Sequence, residues 1–372
     1  MRNEKVSSSR YKFNSSPVNW STWRQFNSHE KEPTKRKELF DEFIVKTKDI
    51  APIIEKRFSS IRQIYEEYDA SKSKIKGINN TKLDPVSAYL EQENISYEKL
   101  IEFIKSMGQW VKKPFKDALA DVGKTIIGKE PEYYDDFYLF RNKIYSDIDG
   151  NFLSIDPIIE VQKTLTAMEF DLSKIHFDIE DRRNKYPSPI CFLVSIPNDI
   201  RILYNPYFDL QSCFHETGHA MHASSIDAKN EYWDKYRIPM GVAEIFSIFL
   251  EMLTKNSDYI RPLIDSYKNN SNNTITKLTS RNEFMELFFV TFYAANSLMK
   301  LEYWKESLSI YQACELYSRL IKEYTGFEIP RRILAITSYS SWIDNVCTKL
   351  STCSCKSSRT KNGRVIFEMK VK

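Results

Sequence analysis

The sequence predicts a mainly α-helical fold with one small β element placed just ahead of a histidine-rich helix. Three observations predict it. Only nine glycines punctuate 372 residues, so long stretches run without a helix breaker. In those stretches apolar residues recur three and four positions apart, the period of an amphipathic helix. One region alone, residues 185–206, switches to short β-prone runs. A chain of this length has room for two average domains or one large helical one.

Residues 37–69 read as one or two amphipathic helices, with Pro52 as the separator. Residues 96–127 behave likewise, and Pro114 is expected to break or kink the helix there. In SIDPIIEVQKTLTAMEF, Asp156 is placed as an N-cap and Pro157 takes the first helical position. The runs ICFLVSI and DIRILY flank the turn residues Pro197, Asn198 and Asp199, which predicts a hairpin or small sheet. Asp209 then caps the helix that carries FHETGHAMH, residues 214–222. The stretches WDKYRIPMGVAEIFSIFLEML, NEFMELFFVTFYAANSLMKLEYW and ACELYSRLIKEY all read as helical, and FMELFFVTFYAA reads as packed core. There is no internal repeat. The resulting division is a helical N-terminal region over 1–150, a catalytic region over 151–345, and a basic, disordered tail over 346–372.

Composition excludes several functions. The net charge is +4, but Lys349–Lys372 holds seven Lys/Arg against one Glu, which leaves the body at −2. Such a body has no pull towards phosphates or anionic lipid, and a basic tail with one aromatic residue, Phe367, offers only unspecific, salt-sensitive contact with nucleic acid. The start, MRNEKVSSSRYKF, lacks an apolar signal segment. The most apolar helix, MGVAEIFSIFLEML, is interrupted by Glu244 and Glu251, so no membrane span is expected. Six cysteines in this length make no disulfide framework; three of them, Cys347, Cys353 and Cys355, crowd the tail at no standard metal spacing. A reducing cytoplasm is the expected compartment.

Three of the five histidines lie in FHETGHAMH. HETGH is an HExxH motif, and its spacing has a mechanical reason. His215 and His219, four residues apart, project from one helix face and can share an ion. Glu216 lies on the flank of that face, where it can reach a water beside the ion and act as general base. Nitrogen and carboxylate donors suit zinc, and a catalytic zinc keeps three protein ligands and an open position. HExxH also occurs by chance in unrelated helices. Two features favour a site: the scarcity of histidine elsewhere, and Gly218, which costs a helix about 1 kcal/mol against alanine and points to close backbone approach.

His222 lies one turn beyond His219, too far along a continuous helix to complete a tetrahedron, and is read as a packed or hydrogen-bonded side chain. The HExxHxxGxxH arrangement of metzincins is excluded, because its glycine position holds His222 and its last histidine position holds Ser225. With no histidine after 222, the third ligand must be a carboxylate. Glu244 stands on an otherwise apolar helix, 25 residues beyond His219, where a lone carboxylate is costly unless paired or metal-bound. Glu251, seven residues on, could orient a ligand imidazole. The alternative is that Glu244 and Glu251 mark a solvent-facing stripe. His29 and His176 have no partner pattern and read as ordinary residues.

These motifs resemble the thimet oligopeptidase and oligoendopeptidase F family of zinc metallopeptidases. The resemblance rests on FHETGHAMH, on the 25-residue step to the glutamate of VAEIFSIFLEM, and on SPICFLVSIPNDIRILYNPYFD upstream; it continues more weakly through LEYWKESLSIYQ and YTGFEIPRR, covering roughly residues 150–332. It implies a large, mainly α, zincin-like fold with a deep channel for short unstructured peptides. It also implies that His215, His219 and Glu244 bind one zinc ion, that Glu216 is the general base, and that the edge of the strand pair holds extended peptide. Beyond the stretch matching GFEIPRR, family members carry a histidine and tyrosines that donate hydrogen bonds to the reaction intermediate. Here RRILAITSYSSWIDNVCTKL follows, with Tyr339 but no histidine. The chain leaves the family pattern near Ile333, as a truncated or frame-shifted C-terminus would.

The expected activity is therefore zinc-dependent hydrolysis of internal bonds in short peptides by an activated water. A metallo-exopeptidase on the same framework is the alternative, as is a catalytically impaired zinc-binding relative that lacks the C-terminal donors.

Overall fold

Helices dominate the computed structural model, which describes residues 11–13, 16–18, 26–47, 51–76, 86–87, 90, 94–141, 155–180, 185, 189–204, 210–236, 238, 240–267, 272–330, 356–359 and 365–368. A short antiparallel pair, β1 (Tyr11–Phe13) and β2 (Ser16–Val18), precedes helices α1 (Pro33–Thr47) and α2 (Ala51–Lys76). Pro52 sits in the first turn of α2, where its missing N–H costs nothing. Helix α3 (Tyr97–Val122) starts at Ser96, whose hydroxyl accepts from the Lys99 amide at 3.4 Å, and runs uninterrupted through Pro114. A π-turn (Gly123–Ile127), a 3₁₀ turn (Tyr133–Asp135) and α4 (Asp136–Arg141) follow. Asp156 caps α5 (Pro157–Ala167), accepting from the Ile158 and Ile159 amides as the sequence predicts.

Strands β3 (Ile175–Asp178), β4 (Ile190–Ser195) and β5 (Asp199–Leu203) form the small sheet. After them come α6 (Leu210–Ser224), α7 (Tyr232–Tyr236), α8 (Met240–Leu253), α9 (Ser257–Tyr267), α10 (Asn272–Lys305) and α11 (Ile310–Thr325). In the tail, β6 (Lys356–Arg359) pairs antiparallel with β7 (Val365–Glu368), where composition predicts disorder. Val365, Ile366 and Phe367 are the β-prone residues there. The N-cap expected at Asp209 and the segment holding Tyr339 and the tail cysteines lie outside the described residues.

The chain divides into two compact units. One comprises Met1–Tyr145 with Phe284–Val346; the other comprises Ser146–Glu283 with Cys347–Lys372. Residues 284–346 thus cluster with the N-terminal helices, a grouping that contiguous sequence blocks do not reveal.

The first unit is built around α3. Its buried residues Leu100, Ile104, Gly108, Val111, Phe115 and Leu119 recur at helical spacing and form one apolar face. Phe115 lies against Phe284 and Phe288, and Phe140 stacks on Phe288, so FMELFFVTFYAA is packed core as expected. Gly108 is needed here: a Cβ would fall 2.3 Å from the Tyr324 ring and 2.9 Å from Ala294 Cβ. An ion pair is buried beside this core. Arg36 and Asp135, both fully buried, meet with Nη2–Oδ1 at 2.6 Å and Nε–Oδ1 at 2.8 Å. Arg36 Nη1 also donates to the Glu30 and Lys31 carbonyls, Asp135 Oδ2 accepts from the Glu132 amide, and the Tyr138 ring lies over the guanidinium.

In the second unit the sheet order is β3-β5-β4, with β3 parallel and β4 antiparallel to β5. The predicted hairpin is β4–β5, turning at residues 196–198. Strand β3 was not foreseen: IHFD is too short to show a period. Ile200 and Ile202 of central β5 are buried, whereas Phe192, Leu193 and Val194 of β4 are exposed. Strand β4 is an edge of this sheet. Helix α6 packs on α8, the two elements that carry the candidate site. Among the described residues no helix is long and apolar enough to cross a membrane.

Candidate metal centre

The site is made by two helices brought into backbone contact. Gly218 of α6 faces α8 so closely that a Cβ would lie 2.5 Å from the Phe246 carbonyl oxygen and from Ser247 Cα. A side chain there would drive the helices apart, which explains the glycine that helix propensity disfavours. His222 stacks on the Phe246 ring with centroids 4.1 Å apart and planes at 12°, so it is a packed residue.

This contact carries Glu244 to the paired imidazoles. Its Oε2 lies 3.5 Å from His215 Nε2, and its Oε1 lies 3.8 Å from His219 Nε2. One donor atom from each residue falls within 4.8 Å of the other two, and this is the one His/Cys/Asp/Glu group of that kind among the described residues. A tetrahedral ion with bonds of about 2.0–2.1 Å needs donors about 3.3 Å apart, so the three residues fit a metal. The buried Glu244 carboxylate is steadied by the Ser247 hydroxyl, which donates at 2.9 Å. The reading of Glu244 as a solvent-facing residue is thereby set aside: it is only 5% exposed.

The surroundings orient each imidazole. His215 Nδ1 lies 2.9 Å from Glu251 Oε2, which leaves Nε2 turned to Glu244. Glu251 Oε1 in turn meets Lys255 Nζ at 2.6 Å. His219 hydrogen-bonds the Ala243 backbone. Burial opposes charge on both rings, but the outcomes differ. For His215 the Glu251 hydrogen bond and the nearby carboxylates outweigh burial and raise the pKa. For His219, burial and then the His215 charge lower it to about 4. Burial also raises Glu244. Glu251 goes the other way: despite burial, His215 and Lys255 hold it at about 2, a permanent anion.

These shifts give a sign to ion uptake. Donors must be deprotonated to bind, and both His215 and Glu244 hold their protons to higher pH than usual. His219, already neutral above about pH 4, has no proton to release near neutrality. Ion binding should therefore strengthen with rising pH and release protons. Calorimetric titration near pH 6 in buffers of different ionisation enthalpy reads the number released, and zero release would contradict this picture.

Glu216 is not one of the three donors; its Oε2 accepts from the Cys191 amide of β4 at 2.8 Å, and it lies close enough to His215 and Glu244 to feel their charge. Burial raises its pKa, partly offset by His215 and by this hydrogen bond. The sequence-predicted residues thus come together in one unit. His176 and His29 take no part; both are exposed. Sequence reasoning missed four contributors. Ser247 and Lys255 stand three and four residues after the carboxylates they touch, a helical spacing that could have found them. The Cys191 amide and the Ala243 backbone carry no side-chain signal.

Part of the chain, including this site, resembles known proteins. Residues 166–333 match the model of peptidase family M3. The match, just under half of the chain, contains the entire His215–Glu216–His219–Glu244 set. Among solved structures the chain is similar to "PZ PEPTIDASE A with inhibitor 2", at 14% identity and TM-score 0.56, covering 88% of this chain. It spans only 57% of the length of that protein. It also aligns with an M32 carboxypeptidase from Deinococcus radiodurans R1 at 14% identity and TM-score 0.49, covering 94% of this chain and 72% of that one. No curated protein matches. The fold is mainly helical with a small sheet, similar to that of PZ peptidase A, and the family match is to a peptidase family.

Proposed function

We propose that the chain is a zinc-dependent oligopeptidase that cleaves internal bonds of short peptides. The observation that carries this reading is the convergence of Glu244 on the His215–His219 pair, with Glu216 beside them and not among them. Two imidazoles and one carboxylate leave a fourth position open, the arrangement of a catalytic zinc. A zinc ion held by His215, His219 and Glu244 would supply Lewis-acid activation of water and of the scissile carbonyl.

The chain's own groups do the rest. The Glu216 carboxylate takes the proton of the attacking water and returns it to the leaving amine nitrogen. Raised by burial, it is suited to carrying that proton. Edge strand β4 offers backbone groups to an extended peptide, with Phe192, Leu193 and Val194 exposed along it for side-chain contact. A folded protein presents no free extended segment for such pairing, which favours short unstructured substrates.

Zinc content measured alongside turnover of a quenched fluorescent peptide tests the proposal. One zinc per chain with cleavage supports it; one zinc without cleavage means an impaired relative; no zinc removes it. Products from a peptide blocked at both ends then separate internal cleavage from terminal trimming, since only the former proceeds. Glu251→Ala should weaken zinc binding by about 10–100-fold, because it frees His215 to rotate. Competition with a chromophoric chelator measures this, and an unchanged dissociation constant would rule out the orienting role.

A further inference from the structure

We propose that the backbone N–H of Cys191 is a positioning group for Glu216, so that edge strand β4 aims the general base as well as serving substrate. This rests on the oligopeptidase reading for its catalytic consequence, but the contact itself does not depend on it.

The amide of Cys191 donates to Glu216 Oε2 at 2.8 Å, across 25 residues of sequence. Cys191 is paired in register with Ile202 of β5, yet its N–H turns to the carboxylate, on the side of β4 away from that strand. The partner is charge-bearing, which makes the bond a strong one. Without it Glu216 would have only its flexible χ angles to set its direction, since His215 and Glu244 influence it through charge alone. A misplacement of about 1 Å at a reacting group can cost about 10²-fold in rate. The same bond withdraws one edge donor from peptide pairing, so an extended substrate begins its register beyond Cys191, at Leu193.

Two measurements on the full-length chain decide the matter. In the chelator-treated chain, hydrogen exchange at the Cys191 amide should be slow in the wild type and at least tenfold faster in Glu216→Ala; equal rates in the two would overturn the contact whatever the protein catalyses. In the zinc-loaded chain, Cys191→Pro deletes the N–H at an edge position where no ladder bond is lost. It should lower kcat by about 10–100-fold with KM within about twofold and one zinc retained, while Cys191→Ala, which keeps the N–H, stays at least tenfold above Cys191→Pro in kcat. A folded, zinc-loaded Cys191→Pro with wild-type kcat would overturn the proposal. Should Cys191→Pro fail to fold, an amide-to-ester replacement at residue 191 removes the same hydrogen with less disturbance. Should the wild type lack turnover, the oligopeptidase reading fails while the exchange result still judges the contact.

Discussion

Glu216→Gln is expected to lower kcat on a quenched fluorescent peptide by about 10²–10⁴-fold while the chain keeps its zinc. The substitution preserves volume and leaves an oxygen to accept the Cys191 N–H, so the carboxamide should occupy the same place. It removes proton capacity. Because Glu216 is not among the three donors that converge on the ion position, the metal should remain. Zinc stoichiometry and kcat must therefore separate: the first unchanged, the second collapsed. A variant that has lost its zinc would make Glu216 a ligand, and one that cleaves normally would remove it from the chemistry altogether.

Arg36→Ala should destabilise the first unit by about 3–5 kcal/mol. The guanidinium is fully buried with Asp135, and it also satisfies the Glu30 and Lys31 carbonyls. Truncation leaves a carboxylate without compensation and two carbonyls without a donor, each costly in a dry interior. Urea unfolding followed by circular dichroism should show an earlier transition. The double variant Arg36→Met with Asp135→Leu should recover much of the loss, because no charge is then stranded. If Arg36→Ala unfolds at the wild-type urea concentration, the pair contributes nothing and its burial needs another explanation.

Much of the site could be read from the chain alone, for reasons that particular residues make clear. HETGH spaces its imidazoles by one helical turn, a local property that needs no fold to be evaluated. Glu244 was legible because a carboxylate on an apolar helix must be compensated, and here it lies between two imidazoles. Gly218 pointed to a close approach, and the structure supplies the approaching backbone, that of Phe246 and Ser247. What could not be read is carried by main-chain groups or by distant pairing. The Cys191 amide leaves no trace in side-chain pattern. Arg36 and Asp135 are 99 residues apart, and neither looks unusual in its own segment. Strand β3 was missed because four residues cannot display a period. The grouping of residues 284–346 with the N-terminal helices is likewise a long-range fact. Pro114, expected to break or kink a helix, stays inside an uninterrupted one whose apolar face is buried on both sides of it.

The contact at Gly218 makes the ion cradle a strain gauge. His215 and His219 ride on one backbone and Glu244 on the other, and no side chain cushions the place where the two touch. Spreading these backbones would draw the carboxylate away from the imidazoles. Loss of affinity for the ion would then be a sign of loosening between the two helices.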